Sequence, residues 1–112
     1  MLTPKDKLRL EHMRSEAQKV RHKVAGRHRK ELDEDDDLAA ILAWRLALIG
    51  EAAARVSESL QNSHPAVPWL QIAGMRNRLI HGYDTIDLDL VWQTIEDDLP
   101  PLIAALDTIL SE

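Results

Sequence analysis

The chain has 112 residues, of which 45% are hydrophobic and 29% charged, with 4 glycines, 5 prolines and no cysteine. This length supports one hydrophobic core and this balance is typical of a globular protein, which excludes a two-domain enzyme with its own cofactor fold and a disordered chain. The absence of cysteine excludes disulfides and thiolate chemistry, and no apolar run approaches the roughly 20 residues that span a bilayer. We therefore expect a cytoplasmic protein that contacts no membrane.

The net charge of −5 is unevenly distributed along the chain. Residues 1–30 contain ten Lys and Arg against three Asp and Glu, whereas the remainder contains four Arg against sixteen acids. A basic helix can attract nucleic-acid phosphates, but a charged helix face is more often plain solvated surface. The acidic run 31–37 can also neutralise the basic segment, so the charge alone does not indicate a function.

Two long helices are predicted in the first half of the chain. Apolar residues spaced by three and four predict a basic first helix over about residues 4–30, and an acidic connection follows at residues 31–37. The last aspartates of that connection suit the N-cap of a second helix, residues 38–60. The second helix is apolar around more than one stripe, so we expect one side to face the bundle and the other to face a second subunit.

The second half of the chain predicts two more helices. Residues 61–68 form a loop by composition, and Pro68 suits the first position of a short third helix that Gly82 ends. A last helix begins near Asp87 and keeps its apolar rhythm past Pro100 and Pro101, which should bend or divide it. No segment has the alternation of a strand. The predicted fold class is therefore all-α, a bundle of four to five helices in which residues 1–112 form a single domain.

Side chains able to act on a phosphate diester are predicted at the end of the third helix. Arg76 follows Ile72 by four residues and precedes Ile80 by four, which predicts a position on the apolar side, where a charge is costly unless paired or used. His81 follows near the helix end. A forked cation beside an imidazole that titrates near neutrality suits a phosphate diester. The spacing also fits an arginine paired with an internal carboxylate and a histidine that caps a helix carbonyl.

The segment 74–83, Gly-Met-Arg-Asn-Arg-Leu-Ile-His-Gly-Tyr, resembles the signature of the HepT-like toxin branch of the HEPN superfamily. That signature is Arg, four residues, His, one residue, Tyr, and the chain satisfies it at Arg76, His81 and Tyr83. Shorter blocks at residues 49–53, 65–69 and 91–100 resemble the same family in the same order. The resemblance covers about residues 38–110 and fades over residues 1–37, which look peculiar to this chain.

The resemblance implies a helical homodimer whose two motifs face one cleft, acting as a ribonuclease toxin with no metal and no cofactor. In such nucleases the ribose 2′-OH attacks the adjacent phosphorus and leaves a cyclic phosphate. On this chain, His81 would transfer the proton, Arg76 would stabilise the developing charge, and Asn77 would orient a phosphate oxygen. The implied partner is a small nucleotidyltransferase antitoxin, which would adenylylate Tyr83 and thereby repel the RNA.

Two site residues carry alternatives. Glu51, in the second helix, fits a supporting role that holds Arg76 in the motif cleft as well as it fits a solvent-facing acid. Tyr83 fits the modification site as well as a ring that packs over the motif loop and hydrogen-bonds Asp84.

Two other functions stay open at this point. One is a non-catalytic HEPN module whose Arg76 and His81 bind a nucleotide or brace the dimer, and which serves as a docking partner for the nucleotidyltransferase. The other is a purely structural helical dimer. Trp44, Trp69 and Trp92 fall on apolar stripes, so we expect core or subunit-contact positions rather than surfaces on which bases stack. Of the three functions, the toxin, the non-catalytic module and the structural dimer, only the toxin would cleave RNA.

Overall fold

The computed structural model describes residues 2–112, and two long helices form the centre of the bundle. Helix α1 is Pro4–Val24 and helix α3 is Asp36–Ala54. As predicted from the acidic run, an aspartate caps α3, since the Asp35 carboxylate accepts a hydrogen bond of 3.0 Å from the backbone N–H of Leu38. The α1 residues buried in the core follow the predicted spacing: Leu10, Met13, Ala17, Val20 and Val24.

Both long helices end earlier than the sequence predicts. Helix α1 ends at Val24 rather than Lys30, because the chain turns at Gly26, whose φ of +77° is a conformation that favours glycine. Part of the acidic connection is itself a single helical turn, α2, Glu31–Glu34. The predicted continuation of the second helix to residue 60 is also wrong, since Ser57 caps a separate short helix, α4, Glu58–Ser63.

The predicted third helix is two short helices joined at a glycine. Helix α5 is Trp69–Ala73 and helix α6 is Met75–Leu79, and Gly74 between them has φ −86° and ψ 6°. The break at Gly74 lets α6 begin a new turn. The motif therefore starts at a helix junction instead of running along one continuous helix.

A small hairpin follows α6, so the prediction that the chain contains no strand is wrong here. Strand β1, Ile80–His81, pairs antiparallel with strand β2, Thr85–Ile86. Gly82, with φ +67°, lies in the turn of this hairpin instead of ending a helix. Strands of two residues are too short to show alternation in the sequence. Apart from the hairpin, the predicted all-α fold class is confirmed.

The last helical segment contains the disturbance that the double proline predicts. Helix α7, Leu88–Gln93, is capped by Asp87 as expected, and a π-helical turn, Thr94–Asp98, separates it from helix α8, Leu99–Leu110. Prolines at positions 100 and 101 have no N–H to donate to the carbonyls four residues earlier, and their rings crowd those carbonyls. The helix widens there, because the Leu99 N–H bonds the carbonyl of Thr94, five residues back instead of four.

Arginines of the basic segment form ion pairs within the chain. Four of them have carboxylate partners at 2.8 to 3.5 Å: Arg14 with Asp107, Arg21 with Glu96, Arg27 with Glu31, and Arg29 with Asp89. Such exposed pairs add little to stability, so their main effect is to neutralise the segment. This arrangement favours a solvated, internally balanced helix over a dedicated phosphate-binding arm. Within residues 2–112, no helix is long and apolar enough to cross a membrane.

Candidate functional site

The motif segment is positioned by a close backbone contact with α3. A Cβ atom added at Gly50 would lie 2.7 Å from the carbonyl oxygen of Ile72 and 3.4 Å from that of Ala73. No real side chain tolerates the shorter distance, so α3 and the α5–α6 junction approach each other only because position 50 is glycine. The buried side chains of Met75 and Leu79 then fix α6 against the core.

Arg76 and Asn77 are exposed at the start of α6. The Nη1 of Arg76 donates a 3.3 Å hydrogen bond to the Oδ1 of Asn77. The expected position of Arg76 on the apolar side is wrong, because Met75 and Leu79 occupy that side of the short helix. No carboxylate in residues 2–112 pairs with Arg76. Its guanidinium therefore keeps most of its donors for a ligand.

His81 is exposed in β1, two residues beyond the end of α6. Its Nε2 lies 3.2 Å from the carbonyl oxygen of Arg78, as the helix-capping alternative predicts. Because a carbonyl oxygen only accepts, Nε2 carries the proton in this contact. In the neutral imidazole Nδ1 is then the basic nitrogen, and nothing in residues 2–112 hydrogen-bonds it. The local contact orients the ring and leaves a proton acceptor facing solvent.

Tyr83 lies in the hairpin turn with 91% of its surface exposed. The alternative in which it packs over the motif loop and bonds Asp84 is wrong, since the ring is exposed and no hydrogen bond in residues 2–112 joins it to Asp84. The Asp84 carboxylate accepts from the hydroxyl of Thr85. The phenol has no hydrogen-bond partner in the described part of the chain. It is accessible to a second protein.

Glu51 is exposed and lines a groove between α1 and α3, together with Arg9, His12 and Arg55. No ion pair joins Glu51 to Arg76 among residues 2–112, so the structure does not bring these two side chains together within one subunit. No group of three His, Asp or Glu side chains in the same range is arranged to hold a metal ion.

The three tryptophans occupy different environments. Trp69 is buried, as predicted for a core residue, and its Nε1 donates a 3.0 Å hydrogen bond to the carbonyl oxygen of His64. Trp92 is half-buried. Trp44 has 59% of its surface exposed on α3, and the nearby helix α5 exposes 87% of Leu70. Exposed apolar side chains of this size are typical of contact surfaces.

An exposed guanidinium at Arg76 and an imidazole with an unpaired nitrogen at His81 follow one another within five residues on a helical bundle. The chain belongs to the HepT-like family, since the family model described as "Ribonuclease HepT-like" matches residues 13–109. The match begins within α1, so the expectation that residues 1–37 lie outside the resemblance is wrong for most of that range. The predicted family is confirmed.

Individual relatives agree with the family match. A protein of Caldanaerobacter subterraneus subsp. tengcongensis named "Putative RNase" is 32% identical over 103 residues, 92% of each chain. A Thermococcus cleftensis protein named "Probable ribonuclease HepT" is 37% identical over 70 residues, 62% of each chain. A Methanocaldococcus jannaschii relative, also named as an RNase, is 39% identical over 57 residues, 51% of this chain and 52% of its own. No solved structure matches the chain.

Proposed function

We propose that the chain is the toxin of a toxin–antitoxin pair, a metal-independent endoribonuclease that cleaves RNA at a dimer cleft. The observation that carries this proposal is the pair of exposed groups in the motif: the Arg76 guanidinium without a carboxylate partner and the His81 imidazole with an unpaired Nδ1. The family match and the RNase names of the relatives support the same activity. RNA is the substrate class.

Each motif residue has a defined part in the proposed reaction. The Nδ1 of one His81 takes the proton of the ribose 2′-OH, the 2′ oxygen bonds to phosphorus, and the bond from phosphorus to the 5′ oxygen breaks. The 5′ oxygen gains a proton, which leaves a 2′,3′-cyclic phosphate and a 5′-hydroxyl. Arg76 donates to the oxygens on which charge develops. Because Oδ1 of Asn77 already accepts from Arg76, the Asn77 amide NH2 is left as a second donor to phosphate.

A second subunit supplies the other half of the proton transfer. One subunit presents a single motif histidine, whereas the reaction needs a base on one side of phosphorus and an acid on the other. Ile41, Trp44 and Leu48 are spaced by three and four along α3 and are half-buried or exposed, which makes an apolar stripe that a second copy of the chain would cover. In the homodimer, His81 of the partner subunit would act as the acid, and the carboxylate of Glu51 would support Arg76 across the interface.

Replacing His81 with alanine should lower the rate of RNA cleavage in EDTA by about 10²- to 10⁴-fold, the range expected for loss of a general acid or base. The assay follows a cellular RNA mixture on a gel at fixed protein concentration. His28→Ala is the matched control, since His28 is exposed and lies in the loop after α1. Full activity in His81→Ala would contradict the assignment. If wild type and His81→Ala are equally inert, the chain is instead a non-catalytic HEPN module that binds a nucleotide or docks its partner.

Trp44→Glu should convert a dimer into a monomer, because a carboxylate in the apolar stripe would be buried without a partner on association. Light scattering coupled to gel filtration measures the molar mass, and the monomer mass is 12.7 kDa. Leu8→Glu is the matched control, since Leu8 is an exposed apolar residue of α1 that lies outside the stripe. A wild-type protein that remains monomeric at micromolar concentration, or a Trp44→Glu dimer, would refute the proposed interface.

The antitoxin is proposed to be a small nucleotidyltransferase that adenylylates Tyr83. The exposed phenol meets the steric requirement, and its oxygen would attack the α-phosphorus of ATP with release of pyrophosphate and of the phenolic proton. The added phosphate places negative charge beside Arg76 and His81, which repels the RNA phosphates.

Incubation with the partner and ATP should therefore raise the intact mass in steps of one AMP and abolish RNA cleavage. Since Tyr83 is the single tyrosine of the chain, Tyr83→Phe removes every phenol and should prevent both changes without altering cleavage by the unmodified protein. Mass spectrometry of both proteins in parallel reads the result. AMP steps that persist in Tyr83→Phe would show that another residue is modified.

A further inference from the structure

A groove of about 360 Å³ runs between the α5–α6 segment and the start of α8. Its lining is mostly apolar and includes Val67, Met75 and Leu102, while the polar side chains that reach it are Arg78 and Asp98, with Gln71 beside them. A volume of this order with apolar lining and a few polar groups is typical of a site for a small planar ligand. None of the motif roles described above uses this groove.

Asp98 is exposed and lines this groove, and its carboxylate accepts no capping hydrogen bond. Asp98 is the N-cap residue of α8, where a carboxylate ordinarily accepts from the backbone N–H groups two and three positions on. Those positions are Pro100 and Pro101, which have no N–H, and no side chain in residues 2–112 donates to Asp98. The double proline that widens the helix therefore also leaves two carboxylate oxygens free to accept hydrogen bonds from a ligand.

Arg78 lines the same groove, and most of the donors of its guanidinium are unused. Its hydrogen bond in the described part of the chain is a long one, 3.5 Å from Nη2 to the carbonyl oxygen of Gln71. Arg78 and Asp98 are not within ion-pair distance of each other, although both line the groove. A ligand that bridges them needs hydrogen-bond donors on one edge and acceptors on another.

We propose that the groove is a base subsite that holds a guanine of the RNA substrate, an inference that rests on the proposed nuclease function. Guanine presents two parallel donors, N1–H and the N2 amino group, which match the two Asp98 oxygens. Its O6 and N7 acceptors match a forked arginine, here Arg78. Adenine and cytosine offer a single amino group to a carboxylate, and uracil places carbonyl oxygens on both sides of its N–H.

The position of the groove favours RNA over a peptide as the occupant. Met75 and Arg78 line the groove and flank Arg76 and Asn77 in the chain, and the Nε2 of His81 contacts the carbonyl oxygen of Arg78. A phosphodiester held at the motif would bring its flanking nucleotides to the same short helix that lines the groove. The flat base would lie between the apolar side chains of α6 and α8.

The test measures nucleotide binding in the His81→Ala protein, which separates binding from cleavage. Titration with guanosine 5′-monophosphate and uridine 5′-monophosphate, followed by NMR, should show guanosine binding about tenfold or more tightly, the discrimination that a bidentate base contact provides. Asp98→Asn exchanges an acceptor oxygen for a donor and should abolish the preference. Asp97→Asn is the matched control, since Asp97 is exposed, is the preceding residue and does not line the groove.

Cleavage by the wild-type motif provides the second readout. Sequencing of the RNA ends should place guanosine next to the cleaved bonds, and Asp98→Asn should cleave without that preference. Equal binding of the two nucleotides, or an equal effect of Asp97→Asn, would overturn the base subsite. If neither nucleotide shifts signals from groove residues, the groove does not bind nucleotides and a peptide becomes the better occupant. Cleavage without a guanosine preference would refute the subsite alone, whereas guanosine binding without any cleavage would refute the nuclease alone.

Discussion

The contact between Gly50 and the carbonyls of Ile72 and Ala73 is the constraint on which the rest of the site depends. It brings the α3 backbone against the α5–α6 junction more closely than any residue with a side chain allows. Met75 and Leu79 then complete the core on the side of α6 that faces inward. As a result, Arg76 and Asn77 emerge on the outside of the bundle at a defined place, with the hairpin that carries His81 directly after them.

The exposed position of the motif changes the physical interpretation of its arginine. A guanidinium buried on an apolar helix face would need a carboxylate partner to offset its desolvation. Arg76 instead remains in contact with solvent, and its hydrogen bond in the described chain goes to Asn77. The free energy of folding therefore does not depend on pairing this charge, which leaves Arg76 available to a phosphate. The same reasoning separates Arg76 from Arg14 and Arg21, which pair with acids of the α8 region.

Local chemistry could be predicted from the sequence where it depends on neighbouring residues. Asp35 and Asp87 cap helices as expected, because the N-cap needs only a side-chain oxygen within three residues. The disturbance at Pro100 was predicted for the same reason, although its form as a π-helical turn was not. The end of α1 and the hairpin were missed because Gly26 and Gly82 each permit more than one turn, and packing selects between them.

The groove was missed because its two polar groups lie 20 residues apart in the chain. Nothing near Arg78 in the sequence indicates that Asp98 lines the same groove. An aspartate before a helix is ordinarily interpreted as an N-cap. The signal was present in the two prolines, which remove the donors that a capping carboxylate would use. Gly50 carried a comparable signal, a glycine within an otherwise strong helix, which costs helix stability unless close packing requires it.

Comparison of Gly50→Ala with Gly74→Ala tests most directly whether close packing of α3 positions the motif. The account predicts that Gly50→Ala lowers the free energy of unfolding by about 1–3 kcal/mol, the usual cost of overpacking, shifts the amide signals of residues 76–81, and slows RNA cleavage. A Cβ at Gly74 would meet nothing closer than 3.5 Å. Gly74→Ala should therefore change the free energy of unfolding by no more than about 1 kcal/mol and leave the amide signals of residues 76–81 and the rate of RNA cleavage unchanged. A Gly50→Ala protein with wild-type stability and unshifted motif signals would contradict the account.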